Sequence, residues 1–487
     1  MQLYLINPTN PLVSIVKVKE SYWNRYRVWK PLSLMVLAGL TPPQWEISII
    51  DENLGTPDYP AMPRPDLVGI TAFTSQANRA YEVAAYFRSQ GVPVIMGGIH
   101  ATMCLEEVLE RVDSVVTGEA EGVWKQVLED ALHGCLKRLY EGGLADINHV
   151  AFARHDLLPA KYAFGAIQTT RGCPLNCNFC SVTAFNGAHY RQRPILDVVE
   201  EFRLIPEKRV LVVDDNLIGT SHRHIERAKE LFRTMIHANL GKEWVAQASI
   251  NFADDEELLG LAAKAGCRGV FIGFESTSIE GLKEIGKKIN LQKNRDFRAS
   301  VKAIQKHHIL VVGSFIIGLD NDKPGIGKQI AKVARRYSVD CLNTLFLTPL
   351  PGTRLWDQMK SEDRIALKRF PEDWKYYTLT YPAAIYKQLS LEGIIAEMIS
   401  CDKEFYSIPW ILLRMWRSLW QRREPLISLV SNLSYRYNLH LNRKVYADFI
   451  SYVKSRGLRG GSHHVLQIKP ESQNQTRHSY KKASFHN

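Results

Sequence analysis

Long apolar runs are absent from this sequence, cysteine is sparse, and acidic residues thin out sharply toward the carboxyl end. No stretch approaches the ~18 uninterrupted apolar residues that a membrane span needs. The first residues, Met1-Gln2-Leu3-Tyr4-Leu5-Ile6-Asn7-Pro8, show no basic segment followed by an apolar one. They read as a β-strand, so a cytoplasmic chain without a secretory signal is expected. Eight cysteines among 487 residues make no disulfide framework. Five of them, Cys104, Cys135, Cys267, Cys341 and Cys401, are scattered through mostly apolar surroundings, where a free cysteine usually serves as a small buried hydrophobe. The other three crowd together, and that crowding calls for a reason.

With 45% hydrophobic and 23% charged residues, the composition is ordinary for globular protein, and the length suits two or three domains. Short β-rich segments at Leu3–Asn7, Glu46–Asp51, Leu67–Ala72, Val92–Met96 and Ser114–Thr117 alternate with helical spacing at Leu32–Leu40, Asn78–Ser89 and Leu105–Glu110. This alternation predicts an open parallel sheet with helices on both faces and ligands at the carboxyl ends of its strands. A less regular stretch, 136–164, leads into a second series. Its strands are expected near Ala166–Thr169, Arg209–Val213, Val245–Ser249, Gly269–Phe274, Leu310–Ile317 and Asp340–Leu347. Six strand–helix units predict a barrel or partial barrel with chemistry on the loops after the strands. From about 371 the pattern turns helical, aromatic and basic, and 461–487, rich in Ser, Gln, His and Lys, reads as disordered. The fold class is α/β.

The crowded cysteines stand in Thr170-Arg171-Gly172-Cys173-Pro174-Leu175-Asn176-Cys177-Asn178-Phe179-Cys180-Ser181, a C-x3-C-x2-C loop just after a predicted strand. Four thiolates would saturate a [4Fe–4S] cube, whereas three from one loop leave an iron open to a small molecule. Zinc is the competing reading. A structural zinc site, however, draws four ligands, usually from paired C-x2-C hooks, and no second pair is present.

At these residues the chain resembles the radical SAM superfamily, whose C-x3-C-x-aromatic-C loop is matched by Cys173, Cys177, Phe179 and Cys180. The resemblance runs over about 165–355. It implies that the three cysteines hold a [4Fe–4S] cluster and that the open iron binds the amino and carboxylate groups of S-adenosylmethionine (SAM). One electron then yields methionine and a 5′-deoxyadenosyl radical. The resemblance also sets Asp214 and Asp215, after the second strand, against the methionine amine, where a carboxylate accepts hydrogen bonds from an ammonium. Glu275, in Gly273-Phe274-Glu275-Ser276, looks like part of the family's SAM-contacting Glu-Ser pair, and Gln247 and Ser249 end the third strand. Each also suits a solvated loop or a helix cap.

A doubly wound domain ahead of such a core resembles the cobalamin-binding domain of B12-dependent radical SAM enzymes. Thr71-Ala72-Phe73-Thr74-Ser75-Gln76, Gly97-Gly98-Ile99-His100-Ala101 and Gly118-Glu119-Ala120-Glu121 carry that likeness. It implies that Thr74 and Ser75 hydrogen-bond the nucleotide tail, that Gly97, Gly98 and Gly118 admit a bulky ligand, and that His100 and Glu119 contact the cofactor. Many B12 proteins ligate cobalt with the histidine of an Asp-x-His-x-x-Gly loop. The comparable loop here, Asp51-Glu52-Asn53-Leu54-Gly55, has Asn53 in that place, which argues against a cobalt–histidine bond. A domain that has lost its ligand is the competing reading. The chain thus divides into a Rossmann-like cobalamin-binding domain (1–135), a linker (136–164), a partial (β/α)6 TIM-barrel radical SAM core (165–370), a helical basic region (371–460) and a tail (461–487).

From Trp410 onward stand 14 Lys and Arg against three acids, which is nearly all of the chain's net +12. Trp410–Arg423 mixes large apolar residues with arginines at helical spacing. Three readings compete: a helix on an anionic membrane surface, a nucleic-acid contact, which is disfavoured, and a solvated helix over the barrel mouth. Together these features predict an enzyme, similar to the family's class B methylases and hopanoid-associated members, that methylates an unactivated carbon of a small-molecule or lipid substrate. An electron-donor protein such as a flavodoxin or ferredoxin is implied. A radical cyclisation, rearrangement or ring contraction is the alternative within enzymes, and a non-catalytic iron–sulfur or cobalamin sensor the alternative outside them.

Overall fold

A strand with helices packed on both its faces must bury its central residues, and the first strand does so. In β1 (Gln2–Asn7), Leu3 and Leu5 enter one core with Leu34, Ala38 and Trp124, while Tyr4 and Ile6 enter another with Ala80, Ala84 and Phe87. Five more strands, β2 (Glu46–Asp51), β3 (Leu67–Thr71), β4 (Val94–Gly97), β5 (Ser114–Thr117) and β6 (Leu139–Glu141), complete a parallel sheet. Its order is β2-β1-β3-β4-β5-β6. The chain changes direction between β1 and β3, the switch point at which such sheets bind ligands. The strand β6 falls inside the stretch read from sequence as irregular. It has three residues, of which only Tyr140 is buried, too few to carry a visible period.

The computed structural model describes residues 1–10, 12, 30–55, 57–158, 162–292, 295–420 and 425–456. The expected disordered tail, 461–487, lies outside the described residues.

The second sheet is built from β7 (Gly165–Ile167), β10 (Arg209–Val212), β11 (Glu243–Ala248), β12 (Cys267–Glu275), β13 (Leu310–Ile317) and β14 (Cys341–Phe346). All pair in parallel and in chain order. The end strands β7 and β14 do not pair with each other, so the sheet is an open, partial (β/α)6 barrel, as the strand–helix count predicts. Between β7 and β10 a two-stranded antiparallel hairpin, β8 (Thr170–Arg171) with β9 (Arg191–Gln192), brackets the cysteine loop. Alternation along β11 gives the sidedness. Trp244 and Ala246 are buried among the helices, with Trp244 stacked on Phe232, while Val245 and Gln247 stay accessible on the inner face.

The regular helices of the last region begin at Leu391, later than the change of pattern near 371 suggests. The aromatic residues before them are packing groups. Trp374 stacks on Phe370 with ring centroids 3.7 Å apart and donates to Glu107 of the first domain. The helices Leu391–Phe405, Ile408–Trp420 and Pro425–Ser455 close the free edge of β14. There the Tyr406 hydroxyl donates to the Leu342 carbonyl at 2.6 Å and accepts from the Leu342 amide at 2.8 Å, satisfying edge groups that would otherwise recruit another strand. Among the described residues no helix is long and apolar enough to cross a membrane.

Candidate active site

The cysteine loop starts at a residue that only glycine can fill. Gly172 has φ +85°, and a Cβ there would lie 2.2 Å from the His189 carbonyl oxygen. Its amide donates to Asp215 Oδ2 at 2.8 Å, and Asn186 donates to the same oxygen at 3.0 Å. Asp215 therefore pins the entry and exit of the loop. Asp214 sits one residue deeper and is fully buried. It accepts from the Thr169 amide and from the hydroxyls of Thr169 and Thr170, and burial pushes its carboxyl up to about 6. Its oxygens are thus engaged within the protein. Of the two neighbours, Asp214 shapes the strand end while Asp215 faces the cleft described below.

Cys173, Cys177 and Cys180 are free thiols, and burial raises all three, Cys177 to about 11. Among the described residues no three His, Cys, Asp or Glu side chains gather about one point as a single metal ion would need. A cube takes one cysteine per iron and so spaces its ligands apart. The loop is clasped from outside: Asn178 donates through its side chain to the Glu284 carbonyl and through its amide to the Ile285 carbonyl. Phe179 is partly buried against the main core.

Two buried charges flank the loop. Glu275 ends β12 with φ +65°, a left-handed backbone that is uncommon outside glycine. Lys287 donates to it at 2.8 Å. Burial works against the Lys287 charge, but Glu275 and the neighbouring Cys177 and Cys173 outweigh it and hold the ammonium above its ordinary range. Nothing in the sequence distinguishes Lys287 from the chain's other lysines; only the fold does. Ser249 is buried in a network with Asn216 and Asn251, whereas Gln247 is exposed on the inner face of the barrel.

A cleft of about 380 Å³ joins the two sheets. One wall is the switch point of the first sheet, with Asn7, Ala72, Phe73, Gly97, Gly98 and Gly118; the other is the cysteine hairpin and barrel rim, with Arg171, Ser181, Phe185 and Asp215. Gly98 and Gly118 have positive φ, and a Cβ at either would sit 2.6 Å from a neighbouring oxygen. Phe73 stands at this wall, 67% exposed among the described residues, a feature sequence reasoning passed over in favour of its neighbours. Thr74 and Ser75 do not line the cleft. His100 also lies elsewhere, fully buried, with Nε2 2.8 Å from the Tyr81 hydroxyl and its ring against Trp374. The Asp51–Gly55 loop is off the cleft as well, with the Asn53 amide group donating to Asp51.

Glu119 holds the walls together. Its carboxylate, buried after β5, takes Arg171 and Arg191 from the two strands of the cysteine hairpin. Burial alone would raise it, but the hydrogen bond from Arg191 and the charge of Arg171 hold it below the usual range. It lines the cleft with its oxygens already occupied.

Comparison with known proteins decides what this architecture is. The Radical SAM superfamily profile matches residues 167–325 and the B12 binding domain profile residues 24–128. Bacteriochlorophyllide d C-12(1)-methyltransferase of Chlorobaculum tepidum is 30% identical over 79% of this chain and 84% of its own. The chain belongs to the cobalamin-dependent radical SAM methyltransferases. The hopanoid C-2 methylase of Rhodopseudomonas palustris is 25% identical over 69% of this chain and 65% of its own. The same fold is seen in the radical SAM methyltransferase TsrM of Kitasatospora setae, with TM-score 0.59, 18% identity, and coverage of 76% of this chain and 79% of that one. As a radical SAM methyltransferase the protein uses a [4Fe–4S] cluster, SAM and cobalamin. The residues fit these groups. Three thiols on one loop leave a cube one iron free, and the glycine-edged cleft with the largely exposed Phe73 suits a large planar ligand.

Proposed function

We propose that this methyltransferase acts on an unactivated carbon of a small-molecule or lipid substrate held between the cleft and the barrel mouth. The observation that carries this reading is the cleft itself, whose walls come from both domains, so that a ligand of the first sheet would face the cysteine hairpin. When bound, the cluster supplies the electron that cleaves SAM, and cobalamin carries the methyl group. The chain's own residues hold and orient. Cys173, Cys177 and Cys180 would ligate the cluster, with Phe179 packed behind them. Glu275, paired with Lys287, would face the SAM amine, and Gln247 would meet SAM from the inner wall. Asp215, and through it Gly172, fixes the loop, while Asp214 and Ser249 brace the strand ends from within. Gly97, Gly98 and Gly118 would admit the corrin, and Glu119 would position the hairpin against it. His100, buried against Tyr81 and Trp374, supports the wall from behind.

A reduced flavodoxin or ferredoxin would deliver the electron, and a reducing cytoplasm suits the chain's free cysteines. A lipid substrate would be met at the inner face of the membrane.

The test uses full-length protein reconstituted without oxygen in the presence of hydroxocobalamin. Roughly four irons per chain, bound cobalamin and 5′-deoxyadenosine on adding SAM and dithionite are expected, all activity being lost in Cys177→Ala. Product carrying deuterium from methyl-labelled SAM supports methylation. Deoxyadenosine with unlabelled product would instead mean rearrangement, and SAM bound without cleavage would mean a sensor.

A further inference from the structure

We propose that the outer face of the helix Ile408–Trp420 docks on the surface of an anionic lipid bilayer. Ile408, Leu412, Trp416, Leu419 and Trp420 are exposed along it, the two tryptophans at 57% and 78%. Ile411, Arg414 and Ser418 face the protein. The exposed residues recur at three- and four-residue steps and so form one stripe. Trp416 stacks on Trp420 with ring centroids 5.9 Å apart. Scattered surface leucines are ordinary, but five large apolar side chains along one helix face mark an interaction surface.

The inner face is firmly seated, so the stripe is not a helix waiting to turn over. The Arg414 guanidinium donates to Asn432 at 2.7 Å and lies over the Phe405 ring at 4.1 Å, and Arg335 lies over Trp410 at 4.5 Å. What remains outward among the described residues is apolar, with the exposed Arg417 beside it.

Charge identifies the occupant. Between Glu404 and Glu424 the sequence has no Asp or Glu, while Arg417, Arg422 and Arg423 fall in it besides the inward Arg414; Arg417 is exposed. A second copy of the chain would bring the same positive charge to this face. The chain's own last segment, 457–487, would do likewise, with five Lys and Arg against the single Glu471. A layer of anionic headgroups brings the opposite sign, and an amphipathic helix with tryptophans on its apolar side rests at the headgroup boundary. At 13 residues the helix is too short to cross the bilayer, so it lies in the interface plane. The proposal does not depend on which carbon is methylated.

Full-length holoprotein is floated with vesicles of phosphatidylcholine, with and without phosphatidylglycerol. Binding is expected only with phosphatidylglycerol, falling as salt is raised. The triple variant Leu412→Ser, Trp416→Ser, Leu419→Ser alters only exposed side chains and should keep its iron and cobalamin while losing binding by about tenfold or more. No flotation, or equal flotation of variant and parent, overturns the proposal. A parent dimer that the variant converts to monomer overturns it too, because the stripe would then be a protein interface.

Discussion

Lys287 Nζ lies 2.8 Å from Glu275 Oε1, and both side chains are almost wholly shielded from solvent beside the cysteine loop. Removing one member of such a pair strands a charge without compensation, at a cost of about 3–5 kcal/mol. Lys287→Met and Glu275→Gln should each destabilise the chain in urea titrations. The double variant should lose much less than the two losses combined, because no charge is left unpaired. Additive losses would show that the two groups act independently.

The turn after β13 should make stability depend on pH. Burial raises Asp322 to about 6 and Glu284 to about 7. Both carboxyls bind protons more tightly folded than unfolded. Their contribution is therefore complete below the ordinary carboxylate range and is lost as pH rises through about 6 to 7. Unfolding free energy measured by denaturant at about pH 5 and about pH 8 should fall across that window. Asp322→Asn with Glu284→Gln should make the slope shallower, leaving the share of the buried Asp214 and Asp402, and an unchanged slope would refute the assignment.

Gly118 offers a sharper test of the cleft. Its φ is +68°, and a Cβ would press within 2.6 Å of the Gly143 carbonyl oxygen, next to the Glu119 clamp. Gly118→Ala should cost more than the ~1 kcal/mol of backbone strain alone and should lower cobalamin retention on gel filtration. Gly134, with φ +65° and open space around it, is the control. Gly134→Ala should pay only the strain and keep its cobalamin.

His100 should prove structural. Nε2 meets the Tyr81 hydroxyl, and Nδ1 is buried with no hydrogen-bond partner among the described residues. His100→Ala should lower the melting temperature, with a stability loss of about 2 kcal/mol, and leave the absorbance of bound cobalamin unchanged. Loss of cobalamin at unchanged stability would restore it as a cofactor contact.

The architecture was legible because its signals are periodic and local. Two-sided apolar strands alternate with helices, and three cysteines fall within one loop. The strand-end glycines were legible too, since positive φ and close approach both demand them. What the sequence hid was orientation. Asp214 and Asp215 are neighbours, yet one is spent on Thr169 and Thr170 while the other faces the cleft. Thr74 and Phe73 are neighbours too, and the polar one turned inward while the aromatic one stayed in the open. Lys287 and Arg191 reach their partners from 12 and 72 residues away, a pairing that no local pattern encodes.

The Glu119 clamp makes the two halves of the enzyme mutually dependent. The carboxylate that follows β5 is held by arginines on both strands bracketing the cysteines, so whatever stiffens one wall of the cleft stiffens the other. Filling either site in advance would remove part of the ordering cost of filling the second, and by reciprocity each cofactor would raise the affinity for the other equally. A cell short of the corrinoid would find its share of the apoprotein holding iron less firmly, a single carboxylate turning two nutritional supplies into one.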